Sequence, residues 1–130
     1  MRLLLDTHIW IDLASAPERL GRQMRRLLSA PDAELYVSPI SAWEFLKLAE
    51  RKRIRTRSEP HQSLQRLLAI PLREAPITFE IARELAMFSL PHRDPADAWL
   101  VATARVKRLA LATRDENIIK SGAVETLTDD

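Results

Sequence analysis

Four carboxylates stand where this chain could do chemistry. Asp6 closes the apolar run Leu3-Leu4-Leu5, and Asp115 follows Leu109-Ala110-Leu111-Ala112-Thr113 with one residue between. Asp97 lies three residues after Asp94 at the head of an apolar stretch, and Glu44 ends Ser41-Ala42-Trp43-Glu44. In open α/β sheets ligands bind in the crevice at the carboxyl ends of the strands. Two buried strands that each end near an aspartate put two carboxylates on the same edge of one parallel sheet. Carboxylates crowded together repel and cannot all ionise unless cations compensate. Oxygen-only clusters suit Mg²⁺ or Mn²⁺. They also suit two-metal cleavage of a phosphodiester, one ion activating water and the other stabilising the leaving oxygen.

Each acid has a purely structural reading beside this one. Asp6 suits the cap of a helix starting near Ile9, and Asp115 suits the cap of a helix holding Ile118 and Ile119. Ser41 to Glu44 matches a capping box, whereas a helix start at Ser38-Pro39 puts Glu44 in the second turn, where no cap needs it. Both readings stay open. Asp94 before Pro95 is a natural N-cap, and Asp97 then occupies the third helical position, worth only tenths of a kcal/mol against the helix dipole. The i, i+3 spacing puts Asp94 and Asp97 on one helical face. Ala98-Trp99-Leu100-Val101-Ala102 after Asp97 implies a helix end lying against the sheet, so Asp97 is read as functional and Asp94 mainly as a cap. His8 and His92 lie near the acids and His61 does not; none has the spacing of a zinc-protease helix, and outer-shell or capping roles are expected for the first two.

The elements that must position these groups alternate between helices and short apolar strands. Leu3 to Leu5 reads as a buried strand, since three apolar residues follow without alternation. A short helix is predicted over 9–14, and Pro17 opens the next, with Leu20, Met24, Leu27 and Leu28 on one face and Arg19, Arg22, Arg25 and Arg26 outward. A strand follows over 33–37, then a helix from Ser38-Pro39 to about Glu50 with Trp43, Leu46 and Ala49 available for packing. Pro60 starts a helix with Leu64, Leu67 and Leu68 inward, and Pro71 to Glu74 reads as a weak strand. Thr78 caps a helix carrying Ile81, Ala82, Leu85 and Phe88. Asp94-Pro95 opens the most apolar helix, to about Lys107; strands over 109–113 and 124–127 flank a short helix after Asp115. This alternation predicts an α/β fold with a parallel sheet.

Composition narrows the function classes. A chain of 130 residues, 46% apolar and 29% charged, suits one soluble domain, 1–130, with its own core. No apolar run spans a membrane, and the first ends too soon for a signal peptide. No cysteine means no disulfide and no thiolate zinc site, which fits the cytoplasm. Net charge is +2, but basic residues bunch in Arg51-Lys52-Arg53-Ile54-Arg55-Thr56-Arg57, a solvated helix end or a phosphate path. There is no Walker loop, Rossmann glycine pattern or nucleophile elbow.

Four stretches together resemble the PIN-domain ribonucleases, especially the toxins of VapBC-type toxin–antitoxin pairs. They are Leu3 to His8, Val37 to Glu44, His92 to Ala104, and Leu111 to Asp115, in the family's order and spacing over nearly the whole chain. The resemblance implies a three-layer α/β/α fold with a central, mostly parallel sheet. It also implies an acidic pocket at Asp6, Glu44, Asp97 and Asp115 that holds one or two Mg²⁺ or Mn²⁺ and cleaves RNA by activated water. Thr7 and Thr113 are candidate hydroxyls orienting a carboxylate or metal water, and Asp94 an outer-shell acid. A homodimer and an antitoxin that blocks the pocket, often with a basic side chain, are implied as partners. Some relatives read Asp-Pro-Phe-Asp-Arg where this chain has Asp94-Pro95-Ala96-Asp97-Ala98, so the arginine is missing.

The leading expectation is therefore a metal-dependent endoribonuclease acting as a toxin, with Arg51, Lys52, Arg53 and Arg114 as candidate phosphate contacts. A phosphotransfer enzyme using Asp6 as nucleophile is disfavoured, because a haloacid-dehalogenase-type site wants an aspartate where His8 stands. A non-catalytic binding module would have all its acids as caps.

Overall fold

Three consecutive leucines have apolar surface for both faces of a strand, and this places β1 (Arg2–Leu5) at the centre of the molecule. The computed structural model describes residues 1–52, 59–92 and 94–129. β1 pairs in parallel with β2 (Glu34–Val37) on one side and with β4 (Ala110–Thr113) on the other. β3 (Arg73–Glu74) and β5 (Thr126–Thr128) complete a five-stranded parallel sheet of order β3-β2-β1-β4-β5. Leu3 stands opposite Leu35 and Ala110, and Leu5 opposite Ala112. Both edge strands are short, which leaves little free edge for further pairing.

Side chains alternate across this sheet and build two cores. Leu3, Leu5, Ala110 and Ala112 pack with α1 (Thr7–Ser15), α2 (Arg22–Leu28), α3 (Pro39–Glu50) and α4 (Pro60–Leu68), through Trp10, Met24, Phe45 and Leu67. Leu4 and Leu111 face the other way, against Leu100, Val101 and Ala104 of α6 (Pro95–Lys107) and Ile118 of α7 (Glu116–Ser121). α5 (Phe79–Glu84) packs on α6. Fully burying each leucine contributes about 1.5–3 kcal/mol, so the three of β1 anchor both layers. The expected three-layer α/β/α architecture is what forms.

Chain order decides where the site lies. The chain steps outward from β1 to β2 and β3, then returns to the opposite side of β1 for β4 and β5. Strand order thus reverses between β1 and β4, and their carboxyl ends flank the crevice at that switch point. The Asp6 N–H donates to Ala112 O at 2.9 Å, which carries the β1–β4 pairing up to the first acid. Among the described residues no helix is long and apolar enough to cross a membrane.

Several local expectations are corrected. α1 begins at Thr7 rather than Ile9, since Asp6 itself is the cap. The helix expected from Pro17 is a 3-10 turn over Pro17–Arg19, an extended Leu20, and then α2, whose N-cap is Gly21. On α3 the buried pair is Ser41 and Phe45, while Trp43 and Leu46 are exposed; the helix turns the Ser41–Phe45 stripe inward in place of the expected one. Leu68 is likewise exposed, and Leu67 alone of α4 is fully buried. The fifth helix stops at Glu84 and continues as a 3-10 turn over Leu85–Met87; Ala82 is exposed and Phe88 follows in extended backbone. The last strand starts two residues later than expected. Arg53 and the rest of the basic run to Arg57, with Arg93 of the third family-like stretch, lie outside the described residues.

Candidate active site

Capping geometry separates the two readings of every acid. Ser38 Oγ accepts from Ile40 N at 3.0 Å, and Pro39 is the first residue of α3. The capping box is therefore not formed, and Glu44 projects from the second turn, where it caps nothing. Asp94 caps α6 by accepting from Ala96 N at 3.0 Å. Asp115 caps α7 through one oxygen, which accepts from Asn117 N and Ile118 N. Asp6 does both jobs: Oδ1 accepts from Thr7 N at 2.7 Å, while Oδ2 accepts from the Thr113 hydroxyl at 2.6 Å. Asp97 caps nothing and is buried, with only 6% of its surface exposed.

Two buried threonines hold these carboxylates in place. The Thr7 hydroxyl donates to Glu44 Oε1 at 2.5 Å and lies 3.0 Å from the Ser41 hydroxyl, tying α1 to α3. Thr113 accepts from Asp115 N at 2.9 Å with the same oxygen that donates to Asp6. It thereby links the ends of β1 and β4. Ser41 went unnoticed in the sequence; its place one turn before Glu44 on the same helical face was the available signal. His92, expected in an outer-shell or capping role, stands against Asp97. Its Nε2 stands 2.7 Å from Asp97 Oδ2, and its Nδ1 is buried with no partner among the described residues.

The acids feel one another. Burial raises the Asp97 carboxyl from its ordinary 3.8 to about 7; the His92 bond pulls it down, while the charges of Asp94, Asp6 and Asp115 push it up. Burial also raises Asp6, opposed by the Thr113 and Thr7 donors and by His8, with Asp115 adding repulsion. Glu44 is raised by burial and by Asp6 and Asp94, against the Thr7 hydroxyl and His8. His92 is raised by its bond to Asp97. The four predicted acids thus come from α3, the start of α6 and the ends of β1 and β4 into one electrostatic neighbourhood. Among the described residues, the side chains whose ligating atoms lie within 4.8 Å of one another are His92, Asp94 and Asp97. Asp94 and His92 thus stand beside Asp97, within reach of its carboxylate.

Of the basic residues expected to meet phosphate, Arg114 is exposed, but its guanidinium is engaged by partners within the chain. It pairs with Asp12 at 2.8 Å and Asp129 at 2.6 Å and donates to Arg19 O at 3.2 Å. Arg51 is exposed at the end of α3, and Lys52 follows in the left-handed region at φ 56°.

The chemistry of these donors suits a divalent cation, and among the described residues His92, Asp94 and Asp97 are the ones whose ligating atoms already lie within 4.8 Å of one another. The ligands are hard carboxylate oxygens, and no cationic side chain pairs with Asp6, Glu44 or Asp115 among the described residues. Among the described residues each Asp6 oxygen accepts a single hydrogen bond and keeps a second lone pair.

The family model described as the PIN domain matches residues 3–123. No curated protein sequence matches the chain. Among solved structures, the chain is similar to VapBC2 from Rickettsia felis bound to a promoter DNA fragment, with 14% identity, TM-score 0.75 and complete coverage of both chains. It is similar to a toxin–antitoxin complex from Klebsiella pneumoniae, with 26% identity, TM-score 0.62, and 95% and 96% of the two chains covered. It is also similar to VapC20 from Mycobacterium tuberculosis, a toxin that cleaves the sarcin–ricin loop, with 19% identity, TM-score 0.66, and coverage of 95% and 98%.

Proposed function

The chain belongs to the PIN-domain family, and from that premise we propose that it is a metal-dependent endoribonuclease, the toxin of a toxin–antitoxin pair. The observation that carries this reading is the placement of Asp97, a buried carboxylate that caps no helix and stands beside His92 and Asp94. A buried carboxylate pushed to about 7 by burial and by three other acids is costly to the fold. Such a cost is characteristic of a functional site and has no use in a structural cap. In this reading Asp6, Glu44, Asp97 and Asp115 hold Mg²⁺ or Mn²⁺, and Asp94 and His92 stand beside Asp97. A bound divalent cation would supply the Lewis acidity that ionises a water and offsets charge on the leaving oxygen.

The protein's own groups have definable tasks. Thr7 fixes the Glu44 carboxylate, and Thr113 fixes Asp6 while it sets the backbone of Asp115. Hydrogen bonds on both Asp6 oxygens reduce its nucleophilicity, which counts against covalent phosphotransfer and leaves lone pairs free for a cation. Glu44 and Asp97, which cap nothing, count against a binding module whose acids are all caps. His92 stands 2.7 Å from the Asp97 carboxylate and orients it.

The substrate is RNA, as supported by the VapC20 likeness, and the partner is an antitoxin, as supported by the likeness to two toxin–antitoxin complexes. A homodimer acting in the cytoplasm completes the proposal. The experiment is cleavage of a mixed RNA pool by purified protein with Mg²⁺, Mn²⁺ or EDTA, with Asp97→Asn protein prepared in parallel against contaminating nucleases. Metal-dependent cutting that the variant lacks is the expected result; cutting by the variant at the parent rate sinks the site assignment.

A further inference from the structure

We propose that the cleft between α3 and the head of α6 is a subsite for an unpaired RNA base and its flanking phosphates, with Trp43 as its stacking platform. The cleft has a volume of about 200 Å³ and is lined by Trp43, Glu44, Lys47, Arg51, Asp94 and Pro95. The inference rests on the nuclease reading and names the form of RNA that the same site takes.

Trp43 leaves 53% of its surface open to water, although α3 had a buried face available for it. Trp43, Lys47 and Arg51 recur every four residues, so they form one stripe along α3, which ends at Glu50 with Arg51 as its C-cap. Lys47 Nζ stands 5.8 Å from the centroid of the Trp43 ring. Its only ion pair among the described residues is a loose contact of 3.9 Å with exposed Glu50. Arg51 has no ion-pair partner among the described residues. A half-exposed indole with Lys47 over one face, and Arg51 two turns further along the helix, combines the two elements that bind single-stranded nucleic acid, a second ring face for the base and charge for the phosphates.

Position ties this stripe to the chemistry. Glu44 adjoins Trp43 in the chain, and Asp94 forms part of the opposite wall of the cleft. The carboxylates repel a polyanion, so approach requires positive charge at their border, and Lys47 and Arg51 supply it. A base can lie on the indole only when it is unstacked, so the RNA accepted here is single-stranded beside the scissile phosphate. A segment of a protein partner would use the apolar ring but has no general need for two cations next to it. RNA is therefore the favoured occupant.

The test is binding of a short fluorescein-labelled single-stranded RNA to Asp97→Asn protein in Mg²⁺, followed by fluorescence anisotropy over a range of salt. Adding Trp43→Ala should weaken binding roughly 5- to 150-fold, the effect of losing one stacked base, and Trp43→Phe should recover most of it. Adding Lys47→Gln and Arg51→Gln should flatten the dependence of log affinity on log salt by about 1.4, at about 0.7 per phosphate contact. With Asp97 restored, Trp43→Ala should raise KM for RNA and leave kcat unchanged. Parent-like RNA affinity in Trp43→Ala overturns the subsite and leaves the nuclease reading intact; this is also the outcome if the surface serves a protein partner. Failure of the unsubstituted chain to bind or cut any RNA overturns both together.

Discussion

Replacing Asp97 by asparagine should stabilise the metal-free protein above neutral pH, and the sign of that change distinguishes a functional carboxylate from a capping one. The Asp97 carboxyl rises from 3.8 to about 7 in the folded chain. The folded state therefore holds this proton more tightly than the unfolded state does. That contribution to stability is fully present below the unfolded value near pH 4 and is lost as pH rises through 7. A shift of about 3 units at 1.36 kcal/mol each makes the ionised group about 4 kcal/mol less favourable to folding at pH 8. Asparagine resembles the protonated acid in shape and keeps an oxygen for His92, so a gain of about 2–4 kcal/mol is expected at pH 8. The gain should shrink toward zero near pH 4. If Asp97 served only the dipole of α6, its loss would instead cost about 0.3–1 kcal/mol. Urea unfolding in EDTA from pH 4 to pH 8 measures the difference. Equal or lower stability of the variant at pH 8, or a gain independent of pH, would refute the electrostatic account of the site. Mg²⁺ added at pH 8 should stabilise the parent and have less effect on the variant, since ligand binding to the folded state alone raises its stability.

Two further substitutions probe the scaffold around the acids. Thr113→Val removes the donor to Asp6 and strands the Asp115 N–H, so the fold should lose about 1–3 kcal/mol. Metal affinity read by calorimetry should fall about 10- to 100-fold, with Thr113→Ser restoring both. Arg114→Ala should cost about 1–3 kcal/mol in urea unfolding by freeing buried Asp12 and the Asp129 side chain. Because its charge is already engaged internally, the salt dependence of RNA binding should stay at the parent slope; a lower slope would restore Arg114 as a phosphate contact.

The sequence alone determined the features set by local pattern. Leu3-Leu4-Leu5 reads as a strand covered on both faces, and Leu109 to Thr113 as a second one, so a parallel sheet with acids at its carboxyl edge was legible. Ser38-Pro39, Thr78 and Asp94-Pro95 marked helix starts because capping depends on residues a few positions apart. Helix phase was not legible in the same way. Trp43 and Phe45 are both apolar, and only contact with the sheet decided that Phe45 is buried and Trp43 faces water. The capping box at Ser41 and the cap at Ser38 satisfied local rules equally well, and packing of α3 chose the second. Asp6, Glu44, Asp97 and Asp115 were visible as separate acids, but their mutual repulsion exists only after the strand order reverses beside β1. The Thr7–Glu44 and Thr113–Asp6 bonds span 37 and 107 residues. Arg114 beside an acid at a strand end looked available for phosphate until Asp12 and the distant Asp129 closed on it. Short-range rules fix elements and caps; which side chains meet across the crevice depends on contacts between distant parts of the chain, and these arise only in the folded structure.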